Sequence, residues 1–365
     1  MDKSSHRPPQ ANERPPVGAR KVIREAVRSS SPCALAFVVL SLVTLAEVRL
    51  IDRLLFVDQA EYGFVLHNVR GILAGTPVWK AWQNRLLGPA AVTALSWATG
   101  DPLSALKLFG GLMIVGANSL LYVLLRRKGA TSAAGLLGVV AFGFARLVLV
   151  YKLEYPWDGV DVLLFLAFGY WAARDGALLR FAPLLVVGAI NHETALYIPL
   201  WYLLAPLGRT KSSLRLGREL VMAAVLIVVV AGGMLALRQA CYVGRPDLPG
   251  QAFENATPLI ENPIHFDHNA RQFLVENWKQ GRIFISATLV CAFAWLIRLA
   301  AGTKHRRSGV WSLVVLVSVF LFGYVNETRL YLPLLAFWFT YAWPAPMPSE
   351  TAGSSRAQTR AARAL

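Results

Sequence analysis

Apolar residues run along this chain in long blocks, at roughly 33 to 51, 104 to 125, 132 to 151, 159 to 173, 181 to 207, 219 to 238, 283 to 300, 309 to 325 and 329 to 344. Most approach the ~20 residues that cross a bilayer as a helix. The period-two alternation of a membrane barrel is missing. A shorter block, 86 to 99, reads as a tilted span or a re-entrant half-helix. The block 181 to 207 is too long for one span and is broken by Asn191-His192-Glu193-Thr194. That break predicts two half-helices meeting at a polar point, as a hairpin or a kinked span. The fold class is therefore all-α integral membrane: a polytopic bundle of about 9 to 11 transmembrane or half-membrane helices.

Composition agrees, with 55% hydrophobic and 16% charged residues and a mean hydropathy of +0.46, far from the balance of a soluble chain. A net charge of +16 suggests nucleic acid only if the chain is soluble, and its distribution argues for topology instead. The N-terminal tail, 126 to 128, 174 to 180, 209 to 218, 298 to 307 and the C-terminal tail hold 23 of the 37 basic residues and five acids. Segments 52 to 83, 151 to 161 and 239 to 282 hold eight basic residues and 11 acids. Positive loops face the cytoplasm. The expected layout is a disordered basic cytoplasmic tail at 1 to 31, a helical membrane domain at 32 to 344 with outer loops 52 to 83 and 239 to 282, and a second basic cytoplasmic tail at 345 to 365. A bacterial-type inner membrane, crossed many times, is the expected location. The first apolar block starts too late for an ordinary cleaved signal and should remain as the first helix. Cys33, Cys241 and Cys291 are isolated in or beside apolar blocks and read as small buried hydrophobes without disulfides.

One motif recurs. Glu193-Thr194-Ala195-Leu196-Tyr197-Ile198-Pro199-Leu200 matches Glu327-Thr328-Arg329-Leu330-Tyr331-Leu332-Pro333-Leu334 at six of eight positions. A weaker copy, Gln83-Asn84-Arg85-Leu86-Leu87-Gly88-Pro89, places Arg85 four residues before its proline, as Arg329 is. A polar cluster followed by proline within about a turn marks a helix start, and all three fall on the outer face. Helix starts and arginines attract anions. Asn84, Arg85, His192, Glu193, Glu327 and Arg329 are thus candidate substrate-binding residues. Plain helix capping and interface anchoring is the competing explanation, but ionisable groups at membrane depth are costly and favour function.

Further outer acids fall in two places. Asp58 and Glu61 would share a helix face and can act as general base and as metal or hydroxyl ligand; an amphipathic surface helix is the plainer alternative. Glu154 and Asp158 flank Pro156-Trp157, which reads as a turn into the next helix capped by Asp158, with substrate contact as the second option. In the largest loop, His265, Asp267 and His268 are weak candidates for a divalent cation, and ordinary polar loop contacts compete. No GxxxxGK[ST], GxGxxG, HExxH or hydrolase elbow is present.

With these residues in view, the layout resembles the membrane glycosyltransferases of the C type: acids in the first outer loop, a large outer loop, and Glu/Arg motifs at outer helix ends. The resemblance implies a donor sugar on a polyprenyl phosphate, a glycan or lipid acceptor, Asp58 as base or metal ligand with Glu61 as partner, and inverting displacement. This chain spaces its two acids by two residues where many members have them adjacent. Partners would be that donor, the acceptor and membrane lipids, with no nucleic acid. A glycolipid transporter or flippase, a lipid-linked polysaccharide polymerase or ligase, and a non-catalytic scaffold remain alternatives.

Overall fold

A computed structural model describes residues 36–50, 59–74, 85–150, 155–207, 213–242, 266–279, 283–302, 305–323 and 327–343, and every regular element among them is helical. Helix α1 covers 36–50. It is followed by α2 (Gln59–Ala74), α3 (Leu87–Thr99), α4 (Pro102–Arg127), α5 (Ser132–Leu149), α6 (Pro156–Ala172) and α7 (Leu178–Asn191). After α7 come a 3-10 turn, Glu193–Leu196, and α8 (Tyr197–Leu203), then α9 (Ser213–Tyr242). Helices α10 (Phe266–Arg271) and α11 (Asn277–Lys279), joined by a π turn, lead to α12 (Ile283–Ala301) and α13 (Arg306–Phe322). A second 3-10 turn, Thr328–Tyr331, opens α14 (Leu332–Tyr341). Pro102–Arg127, Ser132–Leu149 and Leu216–Leu237 are long and apolar enough to cross a membrane.

Local chemistry sets the boundaries. Asp101 accepts hydrogen bonds from the Leu103 and Ser104 amides at 3.2 and 2.8 Å ahead of Pro102, which starts α4. Gly100 adopts a left-handed φ of 69° and reverses α3 into α4. Helix α3 rises only ~20 Å along its axis. Its first turn lies against the start of α6, where Gly88 approaches Pro156 and Trp157, and Val92 shares a buried cluster with Leu106, Phe109, Tyr155 and Trp157. The 86 to 99 block is therefore a half-length helix that doubles back along the first half of α4. The 181 to 207 block is a hairpin: Tyr202, near the end of α8, donates to the Gly176 carbonyl just before α7 at 2.7 Å.

The bundle has two chemically distinct ends. At one, Lys128 Nζ reaches the carbonyls of Thr340, Tyr341 and Trp343 at 2.8, 3.1 and 3.4 Å, and Arg307 donates to the Trp201 carbonyl at 2.9 and 2.8 Å. This basic end gathers residues 126–128, 174 and 307. At the other end lie Arg85, Pro156, the Glu193–Leu196 turn and the Thr328–Tyr331 turn, hereafter the acidic end. Helix α6 connects them through the middle. It is apolar on every side and buried along most of its length, as expected of a central helix. Phe168, Trp201, Trp311 and Phe337 interlock around it, with the Trp311 and Phe337 centroids 4.3 Å apart.

Three expectations need correction. Pro156-Trp157-Asp158-Gly159 is the first turn of α6 itself; Tyr155 is the N-cap, and Asp158 does cap the helix, from three residues inside, by accepting from the Tyr155 amide. The block 329 to 344 yields a helix of only ten residues, because Thr328–Tyr331 is wound as a 3-10 turn. Cys291 is exposed on α12, whereas Cys33 and the Cys241 side chain lie outside the described residues. The tails and most of the loop 239 to 282 also lie outside them.

Close packing of α6 on α14 rests on Gly169, where an added Cβ would sit 2.4 Å from the Phe337 carbonyl oxygen. Gly169→Ala should lower stability by roughly 1–3 kcal/mol, read as a reduced unfolding midpoint in detergent. Gly232→Ala on α9, with nothing within 4 Å, should leave it equal or slightly raised.

Candidate functional site

The acidic end is built on two helix hairpins and one half-helix. Helices α7 and α8 meet at the Glu193–Leu196 turn, and α13 and α14 meet at the Thr328–Tyr331 turn, so the two strong copies of the repeated motif form equivalent tips. The weak copy joins them as the start of α3, tied to α7 by the Leu86 amide donating to the Ile190 carbonyl at 3.0 Å.

Tyr155 and Trp157 stack in the middle, 4.6 Å apart and 7° from parallel. Arg85 lies 5.1 Å over the Trp157 ring and Arg329 lies 4.3 Å over the Tyr155 ring. Laid end to end, these separations bound the distance between the two guanidinium carbons at about 14 Å. Arg85 donates to Glu193 at 2.7 Å. Arg329 donates to Glu327 at 2.7 Å and to the Asp158 carboxylate at 3.3 and 3.2 Å. Asp158 also accepts from the Tyr155 amide at 2.9 Å.

A second layer centres on Asp161, one turn deeper in α6. Its carboxylate accepts from Asn191 at 2.8 Å and Thr194 at 2.7 Å, and it lies 2.6 Å from His192 Nδ1. That contact assigns the imidazole proton to Nδ1. His192 Nε2 then points toward Glu193, 3.5 Å from Oε1. Burial acts to raise the Glu193 carboxyl, but the Arg85 guanidinium and His192 outweigh it and hold the group down at about 2. Glu193 therefore stays ionised.

Accessibility sets the two glutamates at the tips apart from the other charges, since Asp158 and Asp161 are as buried as the arginines. The Arg85 and Arg329 side chains are 5% and 6% exposed, against 44% for Glu193 and 34% for Glu327. Three carboxylates (Asp158, Glu193, Glu327) pair with the two guanidiniums, and Asp161 lies one turn deeper. The expectation of cations open to a phosphate is thus met only in placement, since both arginines are covered and paired. His192 is likewise engaged by Asp161 and is not an open cation. The buried atoms His192 Nε2, Glu193 Oε2 and Arg85 Nε have no hydrogen-bond partner among the described residues. One donor and two acceptors lie unsatisfied side by side.

An apolar cavity of about 490 Å³ approaches the same point from the side. It is lined by Leu45 and Val48 of α1, Phe109 and Met113 of α4, and Tyr155 and Gly159 at the head of α6, with Arg49 and Lys107 at its edge.

Of the residues singled out from sequence, Arg85, Asp158, His192, Glu193, Glu327 and Arg329 come together. Asp58, Asn84 and Glu154 lie outside the described residues. Glu61 is in the first turn of α2, one turn before Val65, which packs in the cluster holding Tyr155 and Trp157. Asp267 and His268 are exposed on α10 and His265 lies outside the described residues; among these residues no group of three or more His, Cys, Asp or Glu could hold a metal ion.

Four site residues were not singled out: Asp161, Asn191, Tyr155 and Trp157. A second acid, one turn after Asp158 in an otherwise apolar helix, was the available signal for Asp161. A separate buried cluster was also missed. On α1, Glu47 accepts from Asn118 at 2.8 Å and approaches Arg146 at 3.9 Å, while Asn118 donates to Thr44 at 3.1 Å. A Glu, an Asn and an Arg isolated inside three apolar blocks mark such a cluster.

Because Arg329 and Asp158 are both buried, Arg329→Met should cost roughly 3–5 kcal/mol by leaving a lone buried carboxylate. Adding Asp158→Leu should recover much of the loss. Unfolding in detergent micelles reads both. Compared with known protein families, curated proteins and solved structures, the chain matches none.

Proposed function

We propose that this chain is an integral membrane enzyme that binds a sugar carried on a lipid phosphate at the acidic end and transfers it to an acceptor hydroxyl. The supporting observation is the trio of buried, unsatisfied polar atoms on His192, Glu193 and Arg85 beside two open carboxylates. A polyhydroxylated group supplies both donors and acceptors there, and its hydroxyls can replace Arg85 and Arg329 as donors to Glu193 and Glu327. A bare anion would first have to break the Arg85–Glu193 or Arg329–Glu327 pair.

In this reading Glu193 and Glu327 hold sugar hydroxyls. Their release of Arg85 and Arg329 lets the guanidiniums stabilise the charge that builds on the leaving phosphate. The apolar cavity ending at Tyr155 takes the first part of the lipid tail. The acceptor oxygen attacks the anomeric carbon, the bond from that carbon to the phosphate oxygen breaks, and the lipid phosphate departs with the electron pair. The acceptor's proton goes to a base. The resemblance assigns that base to Asp58, partnered by Glu61, near the entrance to α2. The Asp161–His192 pair is a second candidate, because an imidazole oriented through Nδ1 leaves Nε2 free to accept. The outward placement of the acidic end and cytoplasmic termini follow from the charge distribution under the same proposal.

The alternative of glycolipid movement draws on the hairpins of half-length helices, which resemble the interrupted helices of transporters, and on the buried Glu47–Arg146 pair. The two separate in one assay. Membranes carrying the protein are given a radiolabelled polyprenyl-phosphate hexose, and labelled acceptor and labelled lipid on each face are measured. Transfer should fall about 10²-fold or more in Asp58→Asn or in His192→Gln, whichever is the base, with donor retention unchanged. Labelled lipid crossing the membrane without any labelled acceptor would reject the enzyme reading.

A further inference from the structure

We infer that the basic end carries a binding site for the headgroup of an acidic phospholipid, in the cavity between the end of α6 and the start of α7. This cavity, of about 390 Å³, is lined by Tyr170, Trp171, Arg174, Asp175, Gly176, Ala177 and Arg180. It lies at the opposite end of α6 from the site described above and is used by none of its chemistry.

Its shape is held from within. Trp171 Nε1 donates to the Ala177 carbonyl at 3.2 Å, and a Cβ on Gly176 would meet the Trp171 ring at 2.3 Å. Only glycine lets the turn fold against the indole. Asp175 takes a left-handed φ of 50° there. Arg174 is preset: its guanidinium lies 4.2 Å over the Tyr170 ring, and Nη2 donates to the Arg127 carbonyl at 2.9 Å. Arg180 enters from the first turn of α7, exposed like Arg174.

The charge balance favours an anion. Asp175 is the one acid lining the cavity, and its carboxylate lies 3.9 Å from Arg307. Arg126, Arg127 and Lys128 border the same end. Two guanidiniums suit a phosphate diester. The aromatic rings and the helix beyond say which kind. Leu179, Val186 and Ile190 form an exposed apolar stripe along α7, leading from the cavity toward the opposite end. A headgroup between Arg174 and Arg180 would lay an acyl chain along that stripe, whereas a soluble phosphate would leave it bare.

Native mass spectrometry of the full chain, released from micelles holding equal phosphatidylglycerol and phosphatidylcholine, tests this. Wild-type protein should retain phosphatidylglycerol in preference by roughly 10- to 30-fold. Arg180→Gln should lower that ratio, and Arg174→Gln with Arg180→Gln should bring it close to parity at an unchanged unfolding midpoint. Arg127→Gln, at the same end but outside the cavity lining, should leave it intact. Millimolar inorganic phosphate or glycerol phosphate should not displace the lipid. An unchanged ratio in the double variant, an equal loss in Arg127→Gln, or displacement by free phosphate would each overturn the inference. If the double variant unfolds early, Arg180→Gln alone decides by the same criteria.

Discussion

A guanidinium removed from water has to be met by carboxylate, and this constraint organises the acidic end of the bundle. Arg85 and Arg329 are almost wholly covered, so each is bound to acids contributed by distant segments: Arg85 to Glu193, Arg329 to Asp158 and Glu327. Satisfying both forces the start of α3, the start of α6 and the two hairpin tips into one place. The stacked Tyr155 and Trp157 fill the space between the two charges and accept both through their ring faces. The Asp161 contacts to Asn191, His192 and Thr194, and the Leu86 amide on the Ile190 carbonyl, hold the α7–α8 tip in the same register.

That arrangement has a chemical consequence. Arginines locked against acids cannot by themselves capture a free anion, but the same pairs leave the Glu193 and Glu327 side chains partly open. The surface offered at the tips is therefore one that hydroxyl groups can satisfy, beside an apolar cavity that starts at Tyr155. The proposed lipid-linked sugar, with hydroxyls at one end and hydrocarbon at the other, is drawn from these two features. At the far end of α6 the pattern reverses, with cations exposed and acids few.

Much of this was legible in the linear order of residues, for identifiable reasons. Helix positions followed the apolar blocks closely, since period and length survive any tertiary context. The ETxLYxPL repeat pointed to the site because charge at such depth needs a function or a partner, and it turned out to mark equivalent hairpin tips. What could not be read were partners. Arg85 to Glu193 spans 108 positions and Arg329 to Asp158 spans 171, so openness to solvent, the property that decides whether an arginine binds a phosphate, was hidden. Asp161 was hidden for the opposite reason: its three contacts come from one short stretch, Asn191 to Thr194, whose polarity was read as a break. Whether that break made a hairpin or a kink depended on Tyr202 reaching Gly176, again invisible along the chain.

The account stands or falls on Arg85 and Glu193 being partners, and a double-mutant cycle with exchanged charges measures that directly. Arg85→Glu and Glu193→Arg should each destabilise the detergent-solubilised protein, while the double exchange should restore part of the loss, giving a coupling of about 1–3 kcal/mol. Strictly additive losses would mean the two side chains do not meet, and the convergent site would be contradicted.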